Sequence, residues 1–422
     1  MENNVGEQLI AYIDSSPSCY HAVENIAKML EGYTQLKEQE EWEIKPGQSY
    51  FVVRKDSSLI AFRVPKKPYE SVYIASAHSD SPSFKIKPLP CMTNDHYTRL
   101  NTEKYGGMNM ASWLDRPLSI AGRLVVEGND GLETRLVNVD RDLLIIPSLA
   151  IHMNREVNNG FQFDAQVDTI PILGDEKSGE SLNGIIAQAA GVDEKDIKGE
   201  DLFLYNRCRG SIWGPNGEYV SDRALDDLQC AFAIVKGFIE AEASDDRLCL
   251  CCIFDNEEVG SLTGQGADST FLEDTLSRIN EALGHNNSYL LKAVAGGYMI
   301  SADNAHAVHP NHPEVADPTN CPYMNGGIVI KYNAAQKYTT DAISEAMVKT
   351  VCEKAGVPTQ SYANESNIAG GSTLGNIANR HVSIPTVDIG LAQLAMHSAY
   401  ETAGVRDTQY LIDAIKIFFG EA

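Results

Sequence analysis

The chain has 422 residues, 43% of them hydrophobic, and 34 basic against 58 acidic side chains give a formal charge of −24. That length and apolar content can bury large cores and point to two domains, while the strong negative charge argues against nucleic acid as a partner. The longest apolar stretch, Leu143 to Ile151, is interrupted by Pro147 and Ser148 and is too short to span a bilayer, and Met1-Glu2-Asn3-Asn4 has no basic or apolar leader character; the expectation is a cytoplasmic protein with no membrane partner.

In chain order, helical patterns over Val5 to Asp14 and Ser18 to Leu30 lead into a hairpin-like pair, Tyr50 to Arg54 and Leu59 to Val64. The apolar run Ser71 to Ala77 then reads as a strand that delivers His78-Ser79-Asp80-Ser81-Pro82. Asp80, two residues beyond His78, points to the same side of an extended chain and is placed to accept a ring N–H and fix the tautomer of a metal-bound imidazole. From about Pro88 to Val220 the texture changes to β-rich alternation with turn signals, notably Leu124 to Gly131 and Ile170 to Gly174. Candidate ligands stop at His78 and resume at Asp226. Residues 88–220 are therefore expected to form an inserted β-rich domain in a discontinuous catalytic α/β domain made of residues 1–87 and 221–422.

Leu225-Asp226-Asp227-Leu228 opens a helical pattern with Leu228, Ala231, Phe232, Val235, Phe238 and Ile239 on one face. Leu248 to Phe254 is a continuous apolar run of the kind a parallel sheet buries on both faces. It ends in Asp255-Asn256-Glu257-Glu258, beyond the carboxyl end of a strand, where open α/β sheets bind ligands. Cys249, Cys251 and Cys252 in that run, among nine cysteines in all, read as reduced, buried small hydrophobes. Two more apolar segments end in candidate ligands: Tyr298 to Ala302 before Asp303, and the strand-like Thr386 to Gly390 ahead of His397.

Each of these features has an ordinary explanation alone: a surface His–Asp pair, an Asp at a helix N-cap, a solvated turn carrying two glutamates. Together, His78 and His397 with Asp226, Glu257, Glu258 and Asp303 suffice for two metal ions that share a bridging carboxylate. Imidazole and carboxylate ligands suit zinc first, with manganese or cobalt as alternatives. Two ions about 3.5–4 Å apart imply metal-assisted hydrolysis. His306, His309 and His312 recur every three residues, but Pro310 and Pro313 break any helix there, so they read as loop residues beside the site. Gly370-Gly371-Ser372-Thr373-Leu374-Gly375 lacks the Lys and the spacing of a phosphate loop.

His78-Ser79-Asp80-Ser81-Pro82, Arg223-Ala224-Leu225-Asp226, Asp255 to Ser261, Ser301 to Asn311 and Met396-His397-Ser398 resemble the motifs of the aspartyl aminopeptidase family of di-zinc metallopeptidases, in that family's order over nearly the whole chain. The resemblance implies His78 and Asp303 on one metal, Glu258 and His397 on the other, Asp226 bridging them, and Glu257 as the general base. One departure is Asp227, where the family often has Asn; the family's cis peptide after the bridging residue implies a cis bond between Asp226 and Asp227. Lys331, in the stretch Ile330 to Tyr338, is similar to the lysine that faces an acidic substrate side chain, with Tyr338 contributing to the pocket. The backbone of Gly371 and Ser372, at a helix start, is expected to line the substrate cleft. His152 resembles a histidine lent to a neighbouring subunit's active site to stabilise an oxyanion. The implied protein is an aminopeptidase that removes acidic residues from short peptides and assembles through its insertion into a homo-oligomer, a dodecamer. The alternatives are a neutral or basic preference, a di-zinc amidohydrolase of acylated amino acids, and a silent scaffold.

Overall fold

The computed structural model of the protein describes residues 5–93, 96–129, 131–175, 177, 181–368 and 370–420. The leader reading of Met1 to Asn4 and the turn residue Asp130 lie outside the described residues.

Strand Arg247–Phe254 shows why its sequence is apolar throughout. Leu248, Leu250, Cys252 and Phe254 enter one hydrophobic core, while Cys249, Cys251 and Ile253 enter another on the opposite face. Successive side chains of a strand alternate between faces, so a strand buried on both sides can carry no polar position. It pairs in parallel with Ser71–His78, which brings Phe254 opposite His78. Ser71–His78 pairs in parallel with Tyr298–Ala302, and that strand with Thr386–Gly390. The carboxyl ends of these strands therefore open on one side of the sheet. His78, the Asp255 turn and Asp303 follow there directly.

The whole sheet has nine strands and is mixed. Ser58–Arg63 lies antiparallel to Arg247–Phe254 and forms a hairpin with Ser49–Arg54, and Ile328–Tyr332 lies antiparallel to Thr386–Gly390. The hairpin expected at Tyr50 to Arg54 and Leu59 to Val64 is thus part of this sheet, and burial on both faces demands apolar residues whichever way a neighbour runs. Helices Val5–Asp14, Cys19–Met29, Leu225–Glu240, Ala342–Ala355 and Val405–Phe419 cover one face. Phe271–Ala282, Asn287–Ala295 and Leu374–Ala378 cover the other.

A separate six-stranded sheet runs from Ser83–Thr93 to Ile197–Asn206 and has its own core around Phe84, Trp113, Leu124 and Leu204. A third sheet of five strands joins Ser211–Trp213 and Tyr219–Asp222 to Glu401–Gly404, Ala392–Leu394 and Ala305–His306. Among the described residues, no helix is long and apolar enough to cross a membrane. Because Leu250 is fully buried in the central sheet, Leu250→Ala should cost about 2–5 kcal/mol of stability. Urea unfolding should show this as a lower midpoint with an unchanged slope; an unchanged midpoint would place Leu250 outside the load of the core.

Candidate metal centre

The helix that carries Asp226 is regular only beyond it. Ala224 sits at φ 54°, and Asp226 and Asp227 depart from helical geometry. The helix opens at Leu225 as expected and runs to Glu240, with its first turn bent at Asp226 and Asp227; both aspartates are buried and neither caps the helix. The Asp226–Asp227 peptide is cis, as the resemblance implied.

Asp226 lies between two histidines. Its Oδ1 is 3.6 Å from His78 Nε2 and its Oδ2 is 3.4 Å from His397 Nε2. His397 Nε2 is also 3.3 Å from Glu258 Oε2. Donor atoms of His78, Asp226 and Asp227, of His78, Glu257 and Glu258, and of Asp226, Glu258 and His397 lie within 4.8 Å of one another. Asp303 stands apart from these groupings: its Oδ1 accepts from Lys331 Nζ at 3.1 Å, although both residues line the same cleft.

Three carboxylate oxygens here, Asp226 Oδ1, Asp227 Oδ1 and Glu258 Oε1, are buried without a hydrogen-bond partner. Buried carboxylates are normally paired or bound to a cation, because desolvating an unpaired charge is expensive. Burial pushes Glu258 up to about 7, with repulsion from Asp226 adding and His397 opposing. Burial likewise raises Glu257 well above the carboxylate range, and the charges of Asp303, Glu258 and Asp80 add to it against the pull of His78. Burial also works against charge on His397, yet Asp226 and Glu258 raise it to about 11. This cluster is built to hold positive charge. Imidazole nitrogens with carboxylate oxygens and no thiolate are the donor set of a hydrolytic zinc site, so the residues present fit zinc.

Hydrogen bonds to backbone amides hold the candidate ligands in place. Asp80 was expected to serve the ring of His78; the nearer partner of Nδ1 is the Asp80 carbonyl at 3.1 Å, with the carboxylate at 3.4 Å. The carboxylate also accepts the amides of Glu257 at 3.1 Å and Glu258 at 3.2 Å and the Tyr105 hydroxyl at 2.7 Å. Glu401, 1% exposed, does the same opposite: it accepts the amides of Asp226 at 2.9 Å and His397 at 2.6 Å. Sequence reading missed Glu401 and Tyr105. Nothing in the pattern marks them: Glu401 accepts from backbone N–H groups that every residue carries, and Tyr105 reaches Asp80 and the Asn256 side-chain amide from a distant strand.

His78, Asp226, Glu257, Asp303 and His397 share with Lys331, Tyr338, Gly371 and Ser372 one open cleft of about 800 Å³. Lys331 is not an exposed strand-end lysine: it is 2% exposed and also donates to the Asn304 carbonyl at 2.8 Å. Its Nζ is 5.5 Å from the Tyr338 ring centroid. Gly371 and Ser372 precede the short helix Leu374–Ala378. Of the three spaced histidines, His306 ends a strand and lines the cleft, whereas His309 and His312 lie in the loop beyond and join none of the metal groupings. His152 is exposed on a turn and does not line this cleft.

A profile of the aminopeptidase I zinc metalloprotease (M18) family matches residues 12–419. A probable M18 family aminopeptidase 2 of Clostridium acetobutylicum is 46% identical over 432 aligned residues, covering 99% of each chain. Among solved structures, a chain in the cryo-EM structure of the Ape4 and Nbr1 complex is similar at a TM-score of 0.95 and 34% identity, covering 99% of this chain and 85% of that one. A chain of the S. cerevisiae mApe1 dodecamer is similar at a TM-score of 0.86 and 26% identity, covering 99% and 96%.

Glu401→Gln removes one acceptor from the pair that fixes Asp226 and His397. It should weaken zinc binding about 10–100-fold, as loss of a ligand-orienting partner typically does. Chelator competition measures this, and an affinity within twofold of wild type would show that the two amides need no anchor.

Proposed function

The chain belongs to the aminopeptidase I zinc metalloprotease (M18) family and is a metal-dependent aminopeptidase; from that premise we propose that it holds two zinc ions and removes acidic residues, Asp or Glu, from the N-termini of short peptides. One observation carries the two-ion reading: the two oxygens of Asp226 face different histidines, His78 and His397. A carboxylate so placed suits a bridge, with His78 and Asp303 holding one ion and His397 and Glu258 the other. When bound, the ions polarise the scissile carbonyl and acidify a water.

The protein's own groups do the rest. Glu257 enters the cleft beside His78 with its amide fixed by Asp80, placed to take the water's proton and pass it to the leaving amine. Lys331 has three donors, two of them spent on Asp303 and Asn304, which leaves one for a substrate carboxylate. Tyr338 forms the adjoining wall, and Gly371 and Ser372, on a loop that Lys337 ties to it through the Gly370 carbonyl, line the same cleft for the substrate. The same spent donors favour a second reading, a neutral N-terminal preference, in which Lys331 serves chiefly to hold Asp303.

His152 sits among exposed apolar residues, Leu149, Ile151 and Met153, a surface that an assembly would cover. In this reading residues 88–220 make the contacts of a homo-oligomer, a dodecamer like that of S. cerevisiae mApe1, and His152 completes a neighbour's site by stabilising the oxyanion. The nine free cysteines suit a reducing, cytoplasmic setting.

Chromogenic amides of Asp, Glu, Leu, Lys and Ala, assayed with chelator and then with zinc, manganese or cobalt, test the reading. Metal-restored cleavage should favour Asp and Glu; a preference for Leu, Ala or Lys would overturn the acidic specificity, and silence across the series would overturn the enzyme reading. Glu257→Gln should retain metal but lose about 10²–10⁴ in turnover, and near-full turnover would remove it as the base. In an assembled oligomer, His152→Phe should lower kcat with little change in KM; intact turnover would end its role in a neighbouring site.

A further inference from the structure

Beside the catalytic cleft lies a second cavity of about 710 Å³, and the two share His306, Tyr362 and Gly371 as a common wall. An aromatic row connects them. Tyr338 stands 5.5 Å from Lys331 Nζ, Tyr362 lies 6.4 Å from Tyr338, and His306 lies 6.1 Å from Tyr362.

The far cavity has an apolar group in its lining, Val308, Val315, Ala316, Pro322 and Ile368, beside the polar His309, Asn320 and Asn364. Its carboxylates are turned to their own loops: Asp317 accepts the amides of Thr319 and Asn320, and Glu365 accepts the amide of Asn367. Val315 and Ile368 are 51% and 46% exposed, large aliphatic side chains that the fold itself leaves half uncovered. An aminopeptidase substrate has its free amine at the reacting end, so the rest of the chain must leave the cleft by a continuous path, and this cavity adjoins the cleft directly.

We propose that this cavity is a subsite for the residues that follow the cleaved bond, the second and third residues of the peptide, and that it selects apolar side chains there. The inference rests on the aminopeptidase reading above and adds a specificity that reading does not contain. Val315 and Ile368 are its selecting residues, and the row from Tyr338 to His306 is the track by which the peptide reaches them.

The test uses the metal-loaded, full-length protein and the N-terminal residue that the chromogenic series prefers. It compares that residue's chromogenic amide with tripeptides extended by Leu-Leu or Lys-Lys. Wild type should prefer the Leu-Leu peptide over the Lys-Lys peptide by about 10-fold or more in kcat/KM, the size of discrimination an apolar pocket gives. Val315→Asp should cut the ratio of Leu-Leu peptide to chromogenic amide by about 10-fold and raise the relative rate on Lys-Lys. Ile368→Asp, in a different loop of the cavity lining, should do the same and serves if the first variant fails to fold. A Leu-Leu to Lys-Lys ratio that moves in neither variant, or tripeptide and amide rates that fall in equal proportion, would overturn the subsite while leaving the aminopeptidase reading intact. A wild type inactive on every substrate would overturn that reading and the subsite with it.

Discussion

Burying several carboxylates side by side is possible only where positive charge is buried with them. Asp226 sits out of water between His78 and His397, Asp227 is buried beside His78, Glu257 and Glu258 join the same groupings, and Asp303 lines the cleft next to them. Three of the carboxylate oxygens have no hydrogen-bond partner. Uncompensated, such an arrangement would favour protonation or opening of the site. Zinc bound among these candidate ligands would offset the desolvation cost, and its binding energy would become part of the folding energy of this region.

The sheet makes that arrangement rigid. Arg247–Phe254, Ser71–His78, Tyr298–Ala302 and Thr386–Gly390 run parallel, so their carboxyl ends reach one edge at nearly the same height. Two hydrophobic cores clamp the sheet from both faces. The turns that leave this edge are then fixed through their amides, by Asp80 on the Glu257–Glu258 side and by Glu401 on the Asp226–His397 side. Anchoring a ligand through its backbone leaves the side chain free to coordinate, which a bond to the carboxylate or ring itself would oppose.

The cleft beyond the metal centre is built differently. Lys331, Tyr338, Tyr362 and His306 come from short strands and loops at the far edge of the central sheet and from the third sheet. On the proposed reading, chemistry sits on the rigid parallel core and substrate selection on its margin, among loops that can vary more freely than the core. Lys331 joins the two regions, since its ammonium contacts both the cleft wall at Tyr338 and the ligand candidate Asp303.

Sequence by itself determined the elements whose chemistry is local. The uninterrupted apolar run before Asp255, the helical face beyond Leu228 and the segments that deliver His78 and Asp303 were legible because burial on a strand or helix imposes a repeat on side chains. The motif order was legible too, and with it the family. What tertiary structure decided was every role that depends on residues far apart in the chain. Asp80 proved to hold the Glu257 and Glu258 amides more than the His78 ring, Glu401 emerged as the anchor of Asp226 and His397, and Lys331 was found buried against Asp303. An acceptor for a backbone N–H needs no particular partner residue, and an ion pair across strands leaves no spacing in the sequence, so only the folded chain could reveal them.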